Sequence, residues 1–333
     1  MPSAHFTPRP HCPACGTPGV PAFERPFSDE KLRSALTAFY AKVGGLDYSA
    51  LVDATYAVSS CPRCHTWFQT QIPSDALLGK LYEEWIDPEK ARLRFHHNHA
   101  PHQSLSCARE VAVALTLAAP ASPRTSLDYG CGWGEWGRMT QAFGYETWGT
   151  ELSPTRRIYA KKIGIHILPE DDLPDHHFGL INLDQVLEHV PDPRTCLRLL
   201  AGKLHPSGVL RLAVPNAWRV PRALKAFDRE LTRPRLGGLN AIAPLEHLNA
   251  FNHKGLVQLA SEAGLTRIRP TWRALIGSTL LQPGATVKAL LRPFYLRSRH
   301  TTVLFFARPH VSTKTLTHGL STIRPSSGPT CNG

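Results

Sequence analysis

After Glu262 the sequence has no aspartate or glutamate through Gly333, yet Arg267, Arg269, Arg273, Lys288, Arg292, Arg297, Arg299, Arg308, Lys314 and Arg324 all fall in that stretch. In a chain of formal net charge +12, an acid-free end points to an anionic partner. Candidates are a phosphorylated small molecule, an RNA backbone or peripheral contact with an anionic membrane surface. A solvated basic face with an unstructured tail is the competing reading. No apolar run approaches the roughly 18 residues of a membrane span, which argues against a transmembrane helix. The start, Met1-Pro2-Ser3-Ala4-His5, lacks a basic and then apolar signal segment. A cytoplasmic setting is therefore expected.

Cysteine is sparse outside two tight pairs, Cys12-Pro13-Ala14-Cys15-Gly16 and Cys61-Pro62-Arg63-Cys64-His65. A Zn²⁺ ion needs four ligands in a tetrahedron, and each CxxC turn offers two thiolates from one knuckle. Cys12, Cys15, Cys61 and Cys64 are thus candidate ligands of a structural zinc, whose filled shell leaves no position for a reactive water. A thioredoxin-type redox site would instead need one CxxC beside a βαβ unit. His11 and His65 stand next to the pairs as substitute ligands. Cys107, Cys131, Cys196 and Cys331 have no partner pattern and read as ordinary free thiols.

Length of 333 residues allows one large core and a smaller partner domain. Residues 1–72 read as the zinc-binding module, with a helical insertion over 28–42 between the knuckles. Residues 73–120 form a helical bridge. Its first helix carries Leu77, Leu78, Leu81, Tyr82 and Trp85 on one stripe, Pro88 ends it, a histidine-rich linker covers 95–102, and a second helix runs from Gln103 to Ala119. From about 125 to 215 strands and helices alternate, as right-handed βαβ units require. Expected strands are Thr125–Tyr129, Glu146–Glu151, Ile165–Leu168 and Phe178–Gln185. Between the first strand and the helix that starts at Glu135 lies Asp128-Tyr129-Gly130-Cys131-Gly132-Trp133-Gly134-Glu135-Trp136-Gly137. Side chains in such a turn would block a nucleotide-like cofactor. Gly132-x-Gly134-x-x-Gly137 satisfies the dinucleotide fingerprint, and Glu151, ending the second strand, suits hydrogen bonding to both ribose hydroxyls of an adenosine cofactor. Ser153 is expected to cap the next helix, with Pro154 at its first position.

The fuller string Asp-x-Gly-x-Gly-x-Gly resembles motif I of class I S-adenosylmethionine (SAM) methyltransferases. Leu187-Glu188-His189-Val190-Pro191-Asp192-Pro193 is similar to the segment that follows their fourth strand. Leu204 to Asn216 resembles the lead into their fifth. The resemblance implies an α/β fold: a doubly wound, seven-stranded Rossmann-like sheet over 121–309, beside a small zinc-ribbon-like N-terminal domain. It also implies that Asp128, Gly130, Cys131, Gly132 and Gly134 shape the methionine and ribose side of a SAM pocket, and that Glu151, with Leu152, meets the ribose. By the same resemblance Asp172 and Leu173 stand at the adenine, and Asp184 and Gln185 lie beside the sulfonium. Pro73-Ser74 with Leu78 and Tyr82 is similar to the bridge of proteins that pair a zinc knuckle with a SAM domain.

Pro244-Leu245-Glu246-His247-Leu248-Asn249-Ala250-Phe251 resembles the Y-H-E-H-L-S-Y-F segment of zinc-containing sugar C-methyltransferases. This implies His247 as a candidate general base beside Glu246, a task suited to neutral imidazole near pH 7. Pro244 and Leu245 depart from that segment. His189 reads as structural. Residues 217–251 form a long insertion expected to act as a lid or to choose the substrate. Asn252 caps a helix over 254–263, Thr266–Thr271 is the expected sixth strand, 277–299 reads as helical, Thr301–Ala307 is the expected antiparallel seventh strand, and 310–333 reads as a disordered tail. The expected activity is methyl transfer from SAM to a small-molecule acceptor, sugar-linked or a secondary metabolite. An RNA methyltransferase with a zinc ribbon is the alternative enzyme, against which no Asn-Pro-Pro-Tyr segment is present. A non-enzymatic SAM-fold binding or assembly protein is the third reading.

Overall fold

The computed structural model describes residues 5–87, 89–90, 92–93, 101–277 and 301–309. Most of the histidine-rich linker, the helix expected after Gly277, the tail from His310 and the basic residues Lys288, Arg292, Arg297, Arg299, Lys314 and Arg324 lie outside them. Among the described residues no helix is long and apolar enough to cross a membrane.

At the N-terminus, β1 (Phe6–Pro8) pairs antiparallel with β5 (Gln71–Pro73). Between them β2 (Val20–Pro26), β3 (Thr55–Ser60) and β4 (Trp67–Gln69) form an antiparallel sheet. The expected helix between the knuckles spans Glu30–Tyr40, with Asp29 capping Leu32 N and Leu32, Leu36 and Tyr40 turned inward. The bridge begins as a helix over Asp75–Lys80, capped by Ser74, and continues as a π turn through Leu81–Trp85. Leu77, Leu81 and Trp85 are buried, so the apolar stripe faces the core as its spacing predicts.

The main sheet contains β6 (Thr125–Tyr129), β7 (Glu146–Thr150), β8 (His166–Ile167), β9 (Phe178–Asp184) and β10 (Leu204–Pro215). After a short β11 (Asn249–Ala250) it is completed by β12 (Thr266–Ile268) and β13 (Thr301–Ala307). Its order is β12-β13-β10-β9-β6-β7-β8. Neighbours from β8 to β10 run parallel, and β13 is antiparallel to both β10 and β12. Strands β9 and β10 are almost wholly buried, the burial expected of parallel strands covered on both faces. The order reverses between β6 and β9, leaving a crevice outside their carboxyl ends.

Helix starts follow their local signals. Asp192 accepts from Arg194 N and Thr195 N, each at 3.1 Å, with Pro193 at the first position of the helix Pro193–Lys203. Asn252 accepts from Gly255 N at 2.8 Å at the head of His253–Glu262. Ser153 is different. It occupies the cap of Pro154–Lys162, but its hydroxyl makes no capping bond, and the backbone N–H of Ser153 donates to Glu151 Oε1 at 2.9 Å.

The insertion after β10 is a chain of short helical turns ending in β11, and β11 pairs with β4 to extend the N-terminal sheet. One apolar core contains Phe27, Leu36, Tyr40 and Leu81 together with Val220, Phe227, Leu239 and Ile242 from the insertion. A second contains the four knuckle cysteines with Phe68, Leu183 and Leu212 of the main sheet, and Leu197 and Leu256 of the helices Pro193–Lys203 and His253–Glu262. Of the basic C-terminal residues, Arg308 donates to the carbonyl oxygens of Ala201 and Gly202 and so serves the end of a helix.

Candidate active site

The glycine turn opens directly from β6. Gly130, Gly132 and Gly134 all take positive φ, at 71°, 55° and 72°. A Cβ on Gly134 would stand 2.6 Å from Ile165 Cδ1, so a side chain there would displace the Ile165 tip as well as strain the backbone. At Gly132 a Cβ would meet nothing within 4 Å, and the open space is available to a ligand. Gly132 N–H donates to Glu151 Oε2 at 2.8 Å. The acid that ends the second strand thus fastens the turn with one oxygen and the next helix with the other.

A cavity of about 730 Å³ lies against this turn. Its wall includes Asp128, Gly130, Cys131, Gly132, Asn182 and Asp184 from the strand ends. Glu110 reaches it from the helix Pro101–Leu117, Arg156 from the helix after β7, Val43 from the N-terminal module and Arg235 from the insertion. That volume is within the range of small-molecule sites.

Beneath the wall a chain of polar contacts runs across the sheet. Asn182 donates to Asp128 Oδ1 at 2.7 Å, and its own oxygen accepts from Arg211 at 2.7 Å. Arg211 also pairs with Asp184 at 3.0 Å and with Glu110, and its guanidinium lies 4.4 Å from the Trp136 ring centroid. Burial disfavours the charge of Arg211, but Asp184 and Glu110 outweigh that and hold it protonated. Burial also pushes the Asp128 carboxyl up to about 7, against the hydrogen bond from Asn182.

The other expected residues, Gly134, Glu151, Leu152, Asp172, Leu173, Gln185, Glu246 and His247, are not among those that line this cavity. Leu152 is 89% exposed. Asp172 is exposed at the end of the short turn Glu170–Asp172, and Leu173 is buried in the core of the main sheet. What Leu173 can offer a cofactor is therefore its backbone. Gln185 adopts φ 56° just past β9, with its N–H on Ala213 O at 2.8 Å.

Glu246 and His247 lie where the insertion returns to the N-terminal sheet. Tyr40 donates to Glu246 Oε1 at 2.6 Å, and burial raises the Glu246 carboxyl. Gln69 Nε2 donates to His247 O at 2.9 Å, fixing the loop to β4. The His247 ring stands edge-on to His189, centroids 4.6 Å apart, and Glu188 completes a cluster of three potential ligand atoms within 4.8 Å of one another. Burial lowers His247 to about 4 and His189 to about 3, where His247 and Arg156 add to the effect. Both rings are neutral near pH 7. The sequence reading passed over the contribution of Glu188 and His189 here, together with Tyr40, Asn182, Arg156 and Arg211. Arg211 had a signal, since it is the one charge inside the apolar run Val209–Val214.

The four knuckle cysteines converge as well. Cys12 and Cys64 sulfurs are 3.5 Å apart and Cys15 and Cys61 sulfurs 3.4 Å apart, all buried. These separations are too long for disulfides and close to the roughly 3.8 Å that tetrahedral Zn–S bonds impose. Contact with Cys12 holds the Cys64 thiol down. Gly16 and His65 each take positive φ immediately after a pair, turning the backbone around the sulfurs. The group comprises the cysteines without His11 or His65.

A family model described as a methyltransferase domain matches residues 98–269, the span that holds the glycine turn, Glu151, the Arg211 chain and His247. The chain belongs to this methyltransferase family. No curated protein matches its sequence. Solved structures similar to the methyltransferase include PKMT2 from Rickettsia typhi, at 16% identity and TM-score 0.40 over 62% of this chain and 53% of that one. The chain thus spans about half of the Rickettsia protein. Another is a SAM-dependent methyltransferase from Mesorhizobium loti, at 17% identity and TM-score 0.41 over 60% of this chain and 98% of that one. A third is the 1,6-didemethyltoxoflavin-N1-methyltransferase of Burkholderia thailandensis, at 14% identity and TM-score 0.43 over 76% and 96%.

Proposed function

We propose that this methyltransferase acts on a small anionic acceptor, and that Cys12, Cys15, Cys61 and Cys64 hold a structural Zn²⁺. The observation that carries the acceptor reading is the wall of the cavity, where Val43 and Arg235 join the glycine turn. A cavity bounded by three parts of one chain suits a compact molecule better than a nucleic-acid strand or a protein surface. Arg156 and Arg235 bring two guanidinium groups to it, which supports a carboxylate or phosphate on the acceptor. SAM would take the space over Gly132, with Glu151 at its ribose and Asp184 and Gln185 on the sulfonium side. Methyl transfer is an in-line displacement, so the protein's tasks are alignment and, for a hydroxyl or carbon acid, removal of a proton. His247, with Glu246, His189 and Glu188 around it, is the proposed centre for that removal. The zinc shell is filled by thiolates, so its contribution is to folding.

The test supplies the purified enzyme with methyl-labelled SAM and fractionated cell extract, then sorts the label into RNA, protein, lipid and small-molecule pools. Label in an acidic small-molecule pool is expected. Label confined to RNA or protein would overturn the acceptor reading.

A further inference from the structure

Glu188, His189 and His247 bring three lone-pair-bearing atoms together, and the hydrogen bonds around them fix which nitrogens bear the lone pairs. His189 Nδ1 lies 2.9 Å from the carbonyl oxygen of Glu246, and His247 Nδ1 contacts the carbonyl oxygen of Asn240. The Tyr82 hydroxyl also lies 3.0 Å from His189 Nδ1, but a carbonyl only accepts, so each Nδ1 is assigned the hydrogen, with Tyr82 as a second acceptor, and each neutral ring presents Nε2 as an acceptor. Glu188 is 0% exposed, and neither of its carboxylate oxygens has a hydrogen-bond partner among the described residues. Burial pushes the Glu188 carboxyl up to about 8, so without a cation it holds a proton, which a bound metal would displace. An ionised carboxylate buried in that way is costly unless a cation meets it.

We infer that Glu188, His189 and His247 form a second metal site, for a first-row divalent cation such as Zn²⁺, Mn²⁺ or Fe²⁺, separate from the four-cysteine cluster. This rests on reading the same group as the acceptor's proton-removing centre, and it changes how His247 acts: its Nε2 is a ligand, and the cation supplies the acidifying charge. Two imidazoles and one carboxylate are a ligand set that leaves coordination positions open. Both rings are anchored through Nδ1 to backbone carbonyls, the outer-shell bond that orients metal-binding histidines. The Arg156 charge that reaches His189 opposes a cation, and burial disfavours the ionised form of the neighbouring Glu246 carboxyl, so the attraction must come from Glu188. The open positions suit an oxygen of the acceptor, whose pKa the cation would lower.

Metal analysis of the full-length protein, loaded with Zn²⁺ and freed of loosely bound ion, tests the site. About two equivalents per chain are expected for the wild type and about one for Glu188→Gln and for His247→Ala. The same variants loaded with Co²⁺ should keep the thiolate charge-transfer band of the cysteine cluster, which shows that they are folded, and lose the weaker visible bands of a nitrogen and oxygen site. One equivalent in the wild type, or two in every variant, would overturn the inference. Methyl transfer measured on the same samples separates the two proposals: transfer by a one-equivalent wild type sinks the second metal alone, while no transfer to any small molecule by a two-equivalent enzyme sinks the acceptor reading.

Discussion

Asp128 is the acid that begins the glycine motif, and its environment makes a pH-dependent demand on the fold. Its carboxyl titrates near 7 in the folded chain and near 3.8 when unperturbed, because burial disfavours the anion. Between those values the unfolded chain has lost a proton that the folded chain retains. Stability should therefore fall as pH rises from about 4 to about 7, by at most roughly 1.4 kcal/mol per unit from this group, and level off above. Asp128→Asn keeps an acceptor for Asn182 and removes the titration, so denaturant unfolding at several pH values should show a flatter profile for the variant. An unchanged slope would contradict the assignment. Cys64→Ser tests the zinc proposal at the same scale. Wild-type melting should drop when a strong chelator is added, and the variant should melt lower and be indifferent to it. Much of this scale was open to sequence reading where chemistry is local, as in the two CxxC pairs. Arg211 shows the limit. A charge within Val209–Val214 signals a buried partner, but nothing in the sequence says that Glu110, on a helix far earlier in the chain, supplies it.

Elements whose instructions lie within a few residues appear where the sequence puts them. Asn252 and Ser74 cap their helices, β6 ends at the glycine turn, and β13 takes the antiparallel seventh place. The insertion was legible only as an interruption. Its turns depend on Arg235 and Leu236 at positive φ, a conformation that neither residue type advertises. They are held in part by Glu230, which accepts from Gly238 N at 2.6 Å and pairs with Arg233 at 3.2 Å. The pairing of β11 with β4 was equally hidden, because two residues make no hydrophobic period. Asn249 ties β11 to the segment that follows β9 and to Arg9. Its amide donates to Leu187 O at 3.1 Å and Val190 O at 2.8 Å, and its oxygen accepts from Arg9 at 2.9 Å. Asn249→Ala should destabilise by about 2–4 kcal/mol, since it strands buried partners on both sides. A loss under about 0.5 kcal/mol in chemical denaturation would show that the tie is dispensable.

For the whole molecule, the distribution of core residues matters more than their number. The insertion buries Val220, Phe227 and Ile242 against the N-terminal module, while the cysteine cluster rests on the main sheet. Neither half can shed the other without exposing apolar surface, so far-UV and near-UV signals should report one coincident unfolding transition. Two separated transitions would mean that the shared cores contribute little. The proposed site is divided in the same way, with the proposed cofactor side on the glycine turn and the proposed acceptor side where the insertion meets the N-terminal sheet. Isothermal titration of SAM into the zinc-loaded enzyme tests that division most directly. The wild type and His247→Ala should bind SAM alike, with only the wild type going on to transfer the methyl group. Glu151→Ala, which frees Gly132 N–H and removes the proposed ribose partner, should bind at least about tenfold more weakly, the worth of a lost charge-assisted hydrogen bond. SAM affinity indifferent to Glu151, or full methyl transfer by His247→Ala, would contradict it.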